Sequence, residues 1–280
     1  MSQSAYAYPE SVTVLRELDD AGVLLLTFNR PDRNNGWTIE LEEEYFATLL
    51  AAGDDPAVRV IVVTGAGRSF CPGLDMQALE DSAKRGKPMA SIRRYPLTLP
   101  WSIPKAIIAA VNGAAAGIGF IQVACTDLRF ASSSAKFTTS FSRRGLPAEN
   151  ALSWVLPRLM GVTNAMDLLL SARVVAAEEA LQLGLLNKVF EPDELLPATL
   201  AYARDLALNC SPFSLASIKA QVHADLERGM EEARMTAIVQ VSEHTHHADF
   251  QEGVASFTER RAPQFAGYSQ HLDINRGWYR

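Results

Sequence analysis

"VRVIVVTGAGRSFCPGLD", residues 58 to 75, sets a run of branched apolar residues against a Gly-rich, Pro-broken segment that ends on a carboxylate. A short apolar run bounded by turn residues reads as a buried strand. The glycines after it let the backbone approach a ligand and present N–H groups. The arrangement recurs at residues 105 to 120, where "KAIIAAVNG" reads as a strand and "AAAGIGFIQVACT" as a buried helix entered through Gly117 and Gly119, its positive end outward. Either stretch alone is a tight strand-to-helix turn: Gly-x-Gly is weak evidence, and "GAGRSF" lacks the Lys-Ser/Thr end of a phosphate loop. Together, two such turns can form an oxyanion hole.

The flanking sequence repeats the alternation. "GVLLLTFNRP" (22 to 31) reads as a strand, and "TIELEEEYFATLLAA" (38 to 52) as a helix with Thr38 as N-cap and Ile39, Leu41, Tyr45, Phe46, Leu49 and Leu50 on one face. "DLRFAS" and "AKFTT" add short strands. From about residue 150 the segments are helical, with "LLNKVF" as a last strand. Strands alternating with helices predict an α/β architecture, with a core over residues 1–200 and a helical region over 201–280 that packs on the core or on another subunit.

With 280 residues, 48% of them hydrophobic, the chain can bury one large core. Its 26 basic and 32 acidic residues give a net charge of -6, so there is no electrostatic reason to expect nucleic acid or an anionic membrane. Cys71, Cys125 and Cys210 are odd in number and contain no C-x-x-C pair, which suggests neither a disulfide framework nor a zinc site and fits a reducing compartment. The N-terminus has no basic-then-apolar leader and no stretch approaches a membrane span, so the expected location is cytoplasmic.

The motifs, in order, resemble the crotonase superfamily, also called the enoyl-CoA hydratase/isomerase family. The likeness runs from "VLLLTFNRPDRNNGWT" through "VRVIVVTGAGRSFCPGLDMQAL", "IPKAIIAAVNGAAAGIGFIQVACTDLRFASSSAKF" and "LPRLMGVTNAMDLLLSARVVAAEEALQLGLLNKVFEPDEL" to "QEGVASFTERRAPQFAG". It implies a crotonase-like spiral of ββα units with a C-terminal helical trimerisation region, the trimers often paired into hexamers. It also implies an acyl-CoA substrate, with coenzyme A as part of that substrate and no separate cofactor or metal. The family's two oxyanion donors map onto the backbone N–H groups of Leu74 and Ile118. Its adenine site maps onto the carbonyl of Pro72 and the backbone at Gly36. Arg260, with Arg261, matches a basic position near the coenzyme A phosphates, sometimes supplied by a neighbouring subunit; a helix-end charge is the alternative. Asp75 reads as an acid capping the next helix, without a catalytic role.

The resemblance also exposes a departure. The two catalytic glutamates of the hydratases fall at Ile121 and Phe141, neither of which can move a proton. Glu149, in "RRGLPAENALSW", stands where peroxisomal-type enoyl-CoA isomerases, dienoyl-CoA isomerases and chlorobenzoyl-CoA dehalogenase carry an acid. A carboxylate there can shuttle a proton between carbons; the competing reading is a helix N-terminal acid. The expected activity is double-bond isomerisation through an oxyanion-stabilised enolate, with Glu149 as acid and base. The alternatives are an atypical hydratase or acyl-CoA hydrolase on a bulky substrate, and a non-catalytic acyl-CoA-binding protein. Trp37, Trp154, Phe141 and Met76 suggest an apolar acyl pocket. Arg143 and Arg144 read as surface or intersubunit ion pairs, and His244, His246 and His247 as a solvated helix face.

Overall fold

The computed structural model describes residues 7–77, 80, 84 and 94–271. Six apolar runs form one sheet in the order β1 (Val14–Leu18), β2 (Val23–Phe28), β3 (Val60–Gly65), β5 (Ala106–Val111), β7 (Leu128–Ser132) and β10 (Lys188–Phe190). A second sheet has the order β4 (Ser69–Cys71), β6 (Ala114–Ala116), β8 (Lys136–Thr138) and β9 (Val175–Ala176). From β3 to β8, consecutive strands go to alternate sheets. Each step from β3–β4 to β5–β6 to β7–β8 therefore adds one parallel neighbour to both ladders, and the chain climbs as a spiral. All six residues of β3 are buried because both of its faces are covered, which is why it reads as a continuous apolar run.

The helices are α1 (Ile39–Asp54), α2 (Ile118–Ala124), α3 (Leu152–Ser171), α4 (Ala177–Gln182), α5 (Leu195–Asn209), α6 (Pro212–Asp225), α7 (Met230–Thr245) and α8 (Ala248–Glu259). Thr38 caps α1, its Oγ1 accepting from Leu41 N at 3.3 Å. Gly161, with φ 78°, breaks α3 into two segments. Two expectations are corrected. "AAAGIGFIQVACT" is not one helix: Ala114–Ala116 is a strand, because β4 and β8 offer ladder partners on both sides and tertiary pairing overrides alanine's helix preference. The stretch "SFC", within the segment read as Gly-rich and Pro-broken, is β4, because β6 offers it a ladder partner.

One core fills the space between the sheets. There Phe28 meets Trp37, Tyr45 and Phe70 edge-on, with centroids 5.7, 5.2 and 5.3 Å away. A smaller core lies on the far side of the six-stranded sheet, where Ala203 and Ala207 of α5 pack against Val60, Val62, Ile108 and Phe130. Helix α5 thus crosses the expected boundary between residues 200 and 201.

Beyond α5 the packing thins. Helix α6 is anchored by buried Lys219, whose Nζ donates to the carbonyls of Pro100 at 2.8 Å and Lys105 at 3.0 Å and pairs with Asp127 at 2.8 Å. Helix α7 buries no residue. The segment after α8 returns to the core: Arg59 donates to Phe265 O at 2.7 Å, and Lys105 Nζ donates to Asp55 O at 3.1 Å and to Tyr268 O. Among the described residues no helix is long and apolar enough to cross a membrane.

Candidate active site

Strands β4 and β6 lie side by side and parallel, so they deliver both glycine turns to one edge of the second sheet. Gly73 (φ +108°) and Gly117 (φ +51°) occupy backbone that L side chains rarely adopt. The turns touch: a Cβ on Gly73 would lie 3.2 Å from Ala116 O, and one on Gly117 would lie 3.8 Å from Gly73 Cα. Gly119 allows this approach, since any Cβ there would fall 1.9 Å from Cys71 O.

Each turn is held from its outer side. Trp37 N–H donates to Gly73 O at 2.8 Å and Asp75 N–H donates to Trp37 O at 3.0 Å, a parallel bridge centred on Leu74. A bridge of this kind uses the groups flanking Leu74, so the N–H of Leu74 itself turns away from Trp37. On the other turn, Gly117 N–H donates to Thr138 O at 3.2 Å, and Ile118 opens α2 as a first helical residue without an intrahelical acceptor. Among the described residues, neither Leu74 N–H nor Ile118 N–H has an acceptor. Two backbone donors thus stand on adjoining turns, the arrangement needed to hold a carbonyl oxygen that gains charge.

A clasp formed by residues 30–37 backs the first turn. Asn35, fully buried at φ 60°, accepts from Arg30 N at 2.8 Å and donates to Ala66 O at 2.9 Å and Ser69 O at 2.7 Å. The Arg30 guanidinium donates to Gly36 O and to the Asp75 carboxylate at 3.1 Å. Asp75 also accepts from Gln77 N at 3.1 Å, as the cap reading requires. Neither Arg30 nor Asn35 was singled out in the sequence, although both stand in the quoted "NRPDRNNGW"; the available signal was asparagine's tolerance of positive φ.

The remaining predicted positions separate. Both polar groups of Gly36 are engaged within the chain, its N–H by Arg33 O at 2.9 Å and its carbonyl by Arg30. The Pro72 carbonyl accepts no hydrogen bond from the described residues. Arg260 is exposed at the end of α8, and among the described residues no ion pair or hydrogen bond ties it to the turns; Arg261 pairs with Glu252 and Glu259. Ile121 and Phe141 are buried in the same core cluster as Ile118, Leu152 and Val155.

Glu149 is half-buried, three residues ahead of α3. It is not that helix's cap: the N-cap is Ala151, the first turn holds no acid, and the Glu149 carboxylate has no partner among the described residues. The chain enters α3 through two successive left-handed residues, Asn150 (φ 49°) and Ala151 (φ 62°). Each costs about 1–2 kcal/mol relative to ordinary helical backbone.

Three readings of the apolar and reactive residues are refined. Trp37 is core, its Nε1–H donating to Glu42 at 2.7 Å, while Met76 is 64% exposed. Trp154 lies 5.5 Å from Trp101 with the Arg158 guanidinium 3.7 Å from its ring, on a groove of about 570 Å³ shared with His223 and Tyr202. His244 and His247 stack on Phe213 at 4.3 and 4.2 Å, and His247 caps α8. Arg143 donates to Ser171 O at 3.0 Å rather than to an acid. Cys71, beside the first turn, is pushed up to about 12 by burial, so its thiol stays protonated.

The architecture is therefore that of the crotonase class, an α/β spiral of paired strands carrying its glycine turns at the strand ends. The chain belongs to the enoyl-CoA hydratase/isomerase family, whose model matches residues 19–268. It is 33% identical over 263 residues to a 1,2-epoxyphenylacetyl-CoA isomerase of Escherichia coli (strain K12), covering 89% of this chain and 96% of that one. It is 33% identical over 251 residues to the enoyl-CoA hydratase ACTT3 of Alternaria alternata, covering 88% and 84%. The crystal structure of an enoyl-CoA hydratase from Polaromonas sp. JS666 superposes with a TM-score of 0.83 at 30% identity, covering 90% of this chain and 99% of that one. The protein is an enzyme of the enoyl-CoA isomerase and hydratase type.

Proposed function

We propose that the enzyme isomerises the double bond of an acyl-CoA through an enolate held by Leu74 N–H and Ile118 N–H. Glu149 removes the proton from the carbon next to the thioester, and the C–H electron pair spreads onto the thioester oxygen. The same carboxyl returns the proton at the γ carbon, so atoms and charge balance without a cofactor. Each backbone donor contributes about 3 kcal/mol to the transition state.

One observation carries the reading: the two hydratase positions are filled by buried Ile121 and Phe141, and Glu149, the acid that the resemblance leaves, neither caps a helix nor pairs with a cation among the described residues. An enolate needs the hole and one base, whereas syn-hydration also needs a second carboxylate to hold water. The Escherichia coli relative, named a 1,2-epoxyphenylacetyl-CoA isomerase, supports isomerisation over hydration as the class of reaction, and its phenylacetyl group favours an aromatic acyl group here. Hydration by Glu149 alone is the second reading, favoured by the hydratase name of the Alternaria alternata relative.

The decisive experiment follows solvent-deuterium incorporation into a panel of straight-chain and aromatic acyl-CoAs by mass spectrometry. Exchange that disappears in Glu149→Gln with ligand affinity nearly intact supports the proposal. Fast gain of water by crotonyl-CoA, or full exchange in Glu149→Gln, refutes it. We further propose that the working form is a trimer or a pair of trimers, with residues 201–280 as the assembly region. Arg260 would then approach the coenzyme A phosphates of its own or a neighbouring subunit, and Pro72 and Gly36 would flank the adenine.

A further inference from the structure

We infer that Arg30 and Asp75 are positioning residues for the oxyanion donor Leu74, acting as an electrostatic latch across the outer side of the first glycine turn. The inference rests on the proposed role of Leu74 N–H and names what sets that group's direction.

Gly73, with φ +108°, gives the turn no intrinsic preference for one orientation of the following N–H. Direction must come from neighbours. The bridge to Trp37 supplies two hydrogen bonds, one on each side of Leu74. Trp37 in turn belongs to residues 30–37, which contain two left-handed residues in succession, Asn34 (φ 52°) and Asn35 (φ 60°), and make no regular ladder. Arg30 closes this loop on itself through Gly36 O, one residue before Trp37, and closes it on the turn through Asp75, one residue after Leu74. A single guanidinium thus grips both halves of the bridge at the residues adjacent to its centre. The pair is largely shielded, with side-chain exposures of 22% for Arg30 and 12% for Asp75, so water competes weakly. The planar fork of arginine suits two divergent acceptors, which a lysine ammonium cannot match in geometry.

Asp75 separates two roles that share one side chain. One of its oxygens accepts from Gln77 N as a helix cap, and the other pairs with Arg30. Asn is an equally good cap and cannot form the ion pair. Asp75→Asn therefore removes the latch and keeps the cap. Arg30→Met removes the grip on both Gly36 and Asp75, and Arg30→Lys keeps the charge.

The test uses the full-length chain, a cinnamoyl-CoA as spectral probe, and, for exchange, two thioesters of 4-phenylbut-3-enoic acid, which carries the protons next to the thioester that a cinnamoyl group lacks: the CoA ester and its N-acetylcysteamine counterpart, which lacks the adenine. When a conjugated thioester carbonyl is polarised by two donors, its ultraviolet band shifts to the red, and this needs no turnover. With wild type we expect a red-shifted bound spectrum. In Asp75→Asn we expect that shift to shrink and deuterium exchange into the acyl-CoA substrate to slow about 10- to 100-fold in kcat with little change in KM, since a misplaced group of about 1 Å costs that much. The loss should appear on both thioesters, with Arg30→Lys intermediate between wild type and Arg30→Met. An Asp75→Asn protein with full red shift and full kcat overturns the latch. So does a loss confined to the KM of the CoA ester, because that assigns Arg30 to the adenine side through Gly36. No red shift in wild type overturns the oxyanion reading itself, a result the variants cannot imitate.

Discussion

Helices α2 and α7 obey opposite rules. Helix α2 is seven residues long, carries a glycine at its second position, and buries every residue; α7 is sixteen residues long and buries none. An isolated seven-residue helix is unstable in water, so α2 exists because the sheets and α3 enclose it. Its position is fixed by backbone contact at Gly119, and the oxyanion candidates inherit that precision. Helix α7 instead exposes Met235, Ile238, Val239 and Val241. The assembly proposed above would give this helix, and exposed Ile218 and Val222 on α6, the apolar burial that one chain does not supply. On that reading, chemistry sits where backbone is locked, and assembly where side chains remain unspent.

The contrast breaks most visibly at Gly119. Gly119→Ala places a methyl 1.9 Å from Cys71 O, backbone against backbone, and should cost about 4 kcal/mol or more. Denaturant unfolding will check this, and a variant as stable as wild type would show that α2 is free to shift. Leu74→Pro deletes one donor and should lower turnover about a hundredfold or more where the protein stays folded by circular dichroism. A folded variant with full turnover would remove Leu74 from the hole.

On the other side of the comparison, sedimentation of the native protein should give three or six chain masses rather than the single 30.6 kDa chain. Ile238→Asp with Val239→Asp should lower that mass while leaving the secondary structure of the spiral intact. If only single chains are found at micromolar concentration, the exposed stripe is merely surface.

The smallest effect lies under the returning C-terminal segment. Burial of Lys105 lowers it from its ordinary 10.5 to about 8. Between those values the unfolded chain still holds a proton that the folded chain has released. This group therefore makes stability rise with pH through the window. Thermal unfolding from pH 7.5 to 9.5 should show a less positive slope in Lys105→Met than in wild type; equal slopes would mean the ammonium is better solvated than its enclosure suggests.

Much of the spiral was legible in the sequence because buried parallel strands read as unbroken apolar runs, as "VIVV" does, and because the glycine turns follow them. The short strands of the second sheet were not. Ala114–Ala116 has helix-favouring composition and becomes β only through partners distant in sequence. The proposed hole donors are backbone groups, so their positions were read from the glycines and the family resemblance rather than from side-chain chemistry. Glu149 was legible as an acid before a helix, but its release from capping depends on Asn150 and Ala151 being left-handed, which neither residue type announces. The Arg30–Asp75 pair spans 45 residues and carries no local signal.

The return of residues 265–268 to Arg59 and Lys105 also sets a schedule for synthesis. Those contacts join groups 206 and 163 residues apart, among the longest separations in the molecule. At about 5–20 residues per second, a ribosome needs about 10–40 s to emit the second half of the Arg59 contact after the first. The spiral can assemble rung by rung during that interval, since each rung pairs with the one just made. Docking of the tail is thus a closing event in folding, slow in onset and dependent on nearly the whole chain having emerged.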